Sequence, residues 1–161
     1  MVPKSSLSKW IDKAVKLNVC ELDINVQLFD LPLSLFTCKT LTNLKVFARY
    51  RNFGVLNVPP LVILPCLKTL DISVHSKRLV KAFRLINGCP VLESLSLLIL
   101  PQEVGDYNFN IPTLKRLELR TNDFISRHKV VLNLPNLEYL YVDGMLGSNF
   151  VMEDLSSTIS D

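Results

Sequence analysis

The sequence is short of the groups on which catalysis and metal binding depend. It holds two histidines, His75 and His128, and four cysteines, at positions 20, 38, 66 and 89. No two cysteines stand as CxxC, and neither histidine lies at ligand spacing from one, so a Cys/His zinc site has no frame to form on. The GxxxxGK phosphate loop, the GxGxxG dinucleotide fingerprint and the GxSxG nucleophile elbow are missing as well. Neither histidine has a carboxylate or a cysteine beside it in sequence, and the acidic pair Glu153-Asp154 falls in a polar C-terminal stretch. The expectation is no enzyme, no cofactor and no metal.

Charge is sparse too. Charged residues make up 20% of the chain and the formal net charge is +3, too small and too scattered to point to nucleic acid. No run reaches the roughly 18 uncharged apolar residues that span a bilayer. The longest candidate, Val55 to Leu67, is broken by three prolines and an asparagine. The opening Met1-Val2-Pro3-Lys4-Ser5-Ser6 lacks the apolar core of a secretory signal, and no Asn-x-Ser/Thr acceptor occurs. These absences point to the cytoplasm or nucleus, with the cysteines as buried free thiols in a reducing compartment and no membrane partner.

What the chain has in abundance is apolar side chain, 48% of 161 residues, enough for a core and against disorder. That material is periodic. Four segments align: Leu64-Pro65-Cys66-Leu67-Lys68-Thr69-Leu70-Asp71-Ile72, Cys89-Pro90-Val91-Leu92-Glu93-Ser94-Leu95-Ser96-Leu97, Ile111-Pro112-Thr113-Leu114-Lys115-Arg116-Leu117-Glu118-Leu119 and Leu134-Pro135-Asn136-Leu137-Glu138-Tyr139-Leu140-Tyr141-Val142. Two eroded copies precede them, Val19 to Ile24 and Leu41 to Val46. The register leucines Leu22, Leu44, Leu70, Leu95, Leu117 and Leu140 are separated by 22, 26, 25, 22 and 23 residues. All fall within the roughly 20–29 residues of leucine-rich repeats. Leu-x-apolar alternation puts two side chains on one face of a short strand. One such unit cannot bury that face alone, and stacking makes a continuous core.

The spacing predicts an α/β solenoid of about six short parallel strands, near 21–25, 43–47, 69–73, 94–98, 116–120 and 139–143, with irregular helix and loop on the convex side. Residues 1–18 form an N-terminal helix and partial cap in which Trp10, Ala14 and Leu17 share a side. The repeats run over 19–146, and 147–161 is a weakly structured tail. After the third strand a helix carries Leu79, Val80, Ala82, Phe83 and Ile86 on its apolar stripe and Lys77, Arg78, Lys81 and Arg84 opposite, with Gly88 as its stop. The prolines 59 and 60 force an extended connector, and Lys129 to Leu132 reads as a short extra strand. The position five residues after each register leucine, where many repeats place a bonding asparagine, holds one asparagine in six, Asn122.

If the register leucines point inward, their neighbours point outward onto the concave face. The last two repeats then present Arg116, Glu118, Arg120, Tyr139, Tyr141 and Asp143. Arginine and tyrosine are enriched at binding hot spots, so these six residues are the candidate protein-binding patch. The alternative is an ordinary solvated surface with Arg/Glu pairing across the sheet.

The ordered phrases along the chain resemble the leucine-rich-repeat region of plant F-box/FBD/LRR proteins over about residues 8–155. They are Trp10-Ile11 with Asn18 to Ile24, Leu31-Pro32 with Leu35-Phe36-Thr37-Cys38-Lys39-Thr40-Leu41, Leu64 to Leu70, Gly88-Cys89-Pro90-Val91-Leu92-Glu93-Ser94-Leu95, and Pro135 to Leu140. The resemblance implies the substrate-binding part of an SCF ubiquitin-ligase adaptor, with an unknown protein substrate on the concave face. No stretch resembles the F-box of that family, so a Skp1-type adaptor is expected as a partner only if an F-box stands outside this sequence. A free-standing repeat scaffold or competitor that recruits no ligase is the alternative.

Overall fold

The computed structural model describes residues 4–26, 31–48, 57–75, 79–100, 106–121, 129–144 and 149–153. Six of its strands form one parallel sheet: β1 (Glu21–Val26), β2 (Asn43–Ala48), β3 (Thr69–His75), β4 (Ser94–Leu100), β6 (Arg116–Thr121) and β8 (Tyr139–Asp143), in that spatial order. β5 (Asp106–Asn110), β7 (Lys129–Asn133) and β9 (Asn149–Met152) form a second parallel sheet, β5-β7-β9. On that convex side of the repeats also stand a single 3-10 turn, Leu33–Thr37, and the helix α2, Leu79–Asn87, while α1, Lys4–Lys16, precedes β1. The fold is a leucine-rich-repeat α/β solenoid.

The register leucines pair as one row: Leu22 with Leu44, Leu44 with Leu70, Leu70 with Leu95, Leu95 with Leu117 and Leu117 with Leu140. A backbone device locks each unit to the next. The carbonyl just before each strand accepts two consecutive N–H groups of the following unit: Cys20 O from Thr42 and Asn43, Thr42 O from Lys68 and Thr69, Lys68 O from Glu93 and Ser94, Glu93 O from Lys115 and Arg116, Lys115 O from Glu138 and Tyr139, all at 2.7–3.1 Å. Both donors must be free N–H groups, which keeps the prolines upstream.

There the prolines have a specific place. Leu67 N donates to Leu64 O, Leu92 N to Cys89 O, Leu114 N to Ile111 O and Leu137 N to Leu134 O. Pro65, Pro90, Pro112 and Pro135 are therefore the second residue of a β-turn, where a φ fixed near −65° costs nothing. Each turn drives its first and fourth side chains inward, so Leu64, Leu67, Leu92 and Leu114 are fully buried beneath the strands. Phe36 and Phe109, both at 0% exposure, fill the convex half of the same core.

Several local expectations change. The buried side of α1 is Ile11, with Leu7 and Val15 packed against the core, whereas Trp10 and Leu17 are exposed. Two apolar stripes interleave on that helix, and the one that reaches the first repeat is the aliphatic one. The Ser34 hydroxyl ties the 3-10 turn to α1 by donating to the Asp12 carboxylate. On α2 the buried side chains are Leu79, Ala82, Leu85 and Ile86, while Val80 is exposed and Phe83 only half-buried against Phe109, ring centroids 5.2 Å apart. Lys77 and Arg78 lie outside the described residues.

Gly88 follows the end of α2, and the reason is space rather than a left-handed turn. A Cβ there would lie 2.4 Å from Val62 Cγ1 and 2.7 Å from the Val62 carbonyl. Of the thiols only Cys38 and Cys89 are buried; Cys20 and Cys66 are exposed, and all four are free. Burial pushes the Cys89 thiol up to about 12.

Two convex strands depart from the sequence reading. β5 alternates outward Asp106, Asn108 and Asn110 with buried Tyr107 and Phe109, a pattern the sequence reading passed over. β9 lies within 147–161, so residues 149–152 are a strand paired with β7 rather than part of a loose tail. Phe150 is the apolar side chain of this strand that packs against the core, while Met152 is exposed. An asparagine contact between turns does exist, but on this side: Asn133 Nδ2 donates to Asn110 Oδ1 at 2.9 Å. Asn122 lies outside the described residues.

Candidate functional site

The concave face is built by strand alternation alone. In β6, Leu117 and Leu119 are fully buried, so Arg116, Glu118 and Arg120 stand on the opposite face. Register then sets Arg116 beside Tyr139, Glu118 beside Tyr141 and Arg120 beside Asp143. All six candidate residues therefore share one surface.

Their contacts run along the strand as well as across it. Arg116 donates from Nε and Nη2 to Glu118 Oε1, at 3.2 and 2.8 Å. Arg120 Nη2 donates to Glu118 Oε2 at 2.5 Å. Glu118 is thus clamped on both oxygens, and its side chain is only 15% exposed against 46% and 50% for the two arginines. Each arginine also covers a tyrosine of the next strand. The Arg116 guanidinium carbon is 3.7 Å from the Tyr139 ring centroid, and that of Arg120 is 5.5 Å from the Tyr141 ring. Cation–π contacts of this kind contribute roughly 0.5–1 kcal/mol at exposed sites. Asp143 stays apart: although in register with Arg120, it forms no ion pair among the described residues, because that guanidinium turns to Glu118.

The polar surface continues beyond these six residues, in outward columns that strand alternation predicts from the sequence. The central column runs Asp23, Lys45, Asp71, Ser96, Glu118, Tyr141 across all six strands. Burial pushes the Asp71 carboxyl above its usual range, against the opposing pull of a Ser96 hydrogen bond and the charges of Lys45 and Arg120. Alternation along the strands places Asp71 in one outward column with Glu118, and the register keeps it there. At the edge of the sheet Glu93 lies between two lysines, 4.0 Å from Lys68 and 3.4 Å from Lys115.

The described side chains of this surface present fixed cations with spare N–H donors beside two amphipathic rings. A hollow of about 400 Å³ does occur elsewhere, on the convex side, lined by Phe83, Asn87, Asn108, Asn110, Asn133 and Glu153. It shares no residue with the concave patch. Among the described residues no group of histidine, cysteine or carboxylate side chains is arranged to hold a metal ion. No helix among them is long and apolar enough to cross a membrane.

Comparison with known proteins gives the same repeat. The family described as the LRR repeats of FBD-associated F-box protein At5g56370 matches residues 7–158. The F-box/FBD/LRR-repeat protein At4g26340 of Arabidopsis thaliana is 32% identical over 87% of this chain and 34% of its own. The F-box/LRR-repeat protein At4g14103 of the same plant is 33% identical over 93% of this chain and 40% of its own. The F-box/FBD/LRR-repeat protein At1g51370 is 34% identical over 91% of this chain and 32% of its own. The chain spans about a third of the length of these curated relatives. No solved structure matches. With the leucine row, the Pro-x-Leu turns and residues 7–158 all in agreement, the chain belongs to the leucine-rich-repeat family of FBD-associated F-box proteins.

Proposed function

We propose that this chain is a protein-recognition module whose concave face, centred on β6 and β8, binds a protein segment through Arg116, Glu118, Arg120, Tyr139, Tyr141 and Asp143. The observation that carries the reading is the Glu118 clamp. It holds both arginines in place over the tyrosines before any partner arrives, so a partner meets side chains whose rotamer freedom is already spent. Each guanidinium keeps N–H groups beyond those given to Glu118, and these suit backbone carbonyls or carboxylates of an extended segment. Arginine and tyrosine are the residue types that dominate interface energetics.

The family supports a further step. In an F-box protein the repeats would present the bound protein to a Skp1-type adaptor and an SCF ubiquitin ligase, the F-box being supplied by polypeptide outside this sequence. On this reading the chain binds and positions, and the ligase acts.

The test is a double substitution, Arg116→Ala with Tyr139→Ala, measured against a protein captured by the wild-type chain. Both residues are exposed on the sheet, so folding is preserved. Loss of at least 2 kcal/mol of binding, about 30-fold, is expected for paired hot-spot residues. Unchanged affinity in a variant with native circular dichroism removes the concave patch as the binding site.

A further inference from the structure

The two ends of the solenoid are finished differently. At the first repeat the inward Ile24 of β1 is 5% exposed, in one core with Ile11 of α1 and with Leu7 and Val15 packed against it. At the last repeat the inward Leu140 and Val142 of β8 are 41% and 37% exposed, where their register partners Leu117 and Leu119 are at 0%. Met152 of β9 is 60% exposed beside them in the same end unit. Both β8 and β9 are edge strands with no described strand on their outer side.

The edge carries a specific message about what fits it. The next carbonyl in the line Cys20, Thr42, Lys68, Glu93 and Lys115 is that of Glu138, and among the described residues no N–H group bonds it. The side chains of the same line alternate in sign, Lys68, Glu93, Lys115, Glu138, with Glu93 held by both lysines. Glu138 forms no ion pair among the described residues. After Lys129 the sequence contains no lysine or arginine at all, while Glu138, Asp143, Glu153, Asp154 and Asp161 are acidic. Among the described residues the edge of β8 is therefore apolar at Leu140 and Val142 and flanked by the acidic Glu138 and Asp143.

We propose that the open face of β8 docks an extended strand in parallel register whose pattern is apolar–(Lys/Arg)–x–apolar–x–apolar. Its basic residue lies opposite Glu138, its two leading N–H groups bond the Glu138 carbonyl, and its apolar residues cover Leu137, Leu140 and Val142. This is strand addition to a sheet edge, with main-chain bonds giving affinity and alternate side chains giving selection. The occupant is the strand of another leucine-rich unit, not a second copy of this chain. Two β8 edges brought together would set acidic ends face to face, with no basic residue anywhere between 130 and 161 to answer Glu138. The β1 end of a second copy, already backed by α1, offers Cys20 rather than a basic residue in that line. The proposal concerns the end of the stack and is independent of the concave-face reading.

The test uses a fluorescent peptide copying residues 111–121, IPTLKRLELRT, which carries the pattern around Leu114, Lys115, Leu117 and Leu119. Anisotropy against the full chain is expected to show saturable binding. Glu138→Lys in the protein weakens it about three- to fivefold, the scale of one exposed cross-strand ion pair. A peptide with Lys115→Glu recovers the loss only on that variant, a charge swap that a merely structural effect would not produce. A peptide with Arg116→Pro, which removes one of the two ladder donors, binds less tightly to the wild type. No binding of the 111–121 peptide overturns the proposal. So does a chain that sedimentation shows to be a dimer closed over β8, with dimerisation blocked by Leu140→Lys.

Discussion

A single missing methyl group decides how α2 can lie against the preceding connector. Leu64 N donates to Gly88 O at 2.9 Å, and this contact brings the Val62–Leu64 segment so close that Gly88 has no room for a Cβ. The nearest obstacles include backbone, the Val62 carbonyl at 2.7 Å, which cannot rotate away as a flexible side chain would. Gly88→Ala is therefore expected to lower stability by about 1–3 kcal/mol, the usual scale for overpacking, despite alanine's better helix propensity. Urea unfolding followed by circular dichroism checks this, and a variant as stable as the wild type would mean that the connector moves freely. The same scale explains the tyrosine-backed arginines of β6. Glu118 takes one guanidinium on each oxygen, so the ion pairs of the patch join residues two apart on one strand, and the contacts across to β8 are those of the guanidinium groups with the tyrosine rings.

At the scale of the element, equivalent positions separate by what covers them. Leu117 and Leu140 are register partners with the same chemistry, one at 0% and the other at 41% exposure. Leu117→Ala should cost about 2–5 kcal/mol, transfer and cavity together. Leu140→Ala should cost well under half of that, because much of its surface already meets water and no cavity closes around the gap. Chemical denaturation of the two variants side by side reads the difference; equal losses would show that β8 is covered in solution. This contrast also marks what the sequence could disclose. The leucine row and the strands it anchors were legible because period-2 alternation and a 22–26-residue spacing leave one register. The six patch residues followed from that register. The face of α1 was not legible, since Leu7-Ile11-Val15 and Trp10-Ala14-Leu17 are both valid helical stripes and only the shape of the first repeat chooses between them. β5 was readable in Tyr107 and Phe109 but hidden among flanking polar residues. β9 was hidden because four residues carry too little pattern to be told from a tail. The Glu118 clamp could not be read at all, as it depends on rotamers.

Across the whole molecule stability is a sum of unit and neighbour terms, because each repeat touches only the next. A middle strand such as β4 is held by β3 on one side and β6 on the other, whereas among the described residues β8 pairs with β6 alone. The first strand also has one strand neighbour, but its inward side shares a core with α1. Opening β8 and β9 together breaks one interface and exposes side chains that are already partly wet. Opening β4 breaks two interfaces and bares Leu95 and Leu97, both at 0% exposure. Native-state hydrogen exchange should therefore be graded along the axis: slowest in β3, β4 and β6, faster in β1, and fastest in β8 and β9, whose amides exchange by local opening well below the global unfolding free energy. Amides of β8 protected as strongly as those of β4 would contradict an open end. The gradient also has a direction, since binding to the last repeat adds the interface that β8 lacks. The 111–121 peptide should slow exchange in β8 and β6 while leaving β1 and β2 unchanged, because coupling in a stack of this kind passes through nearest neighbours and fades with each unit crossed.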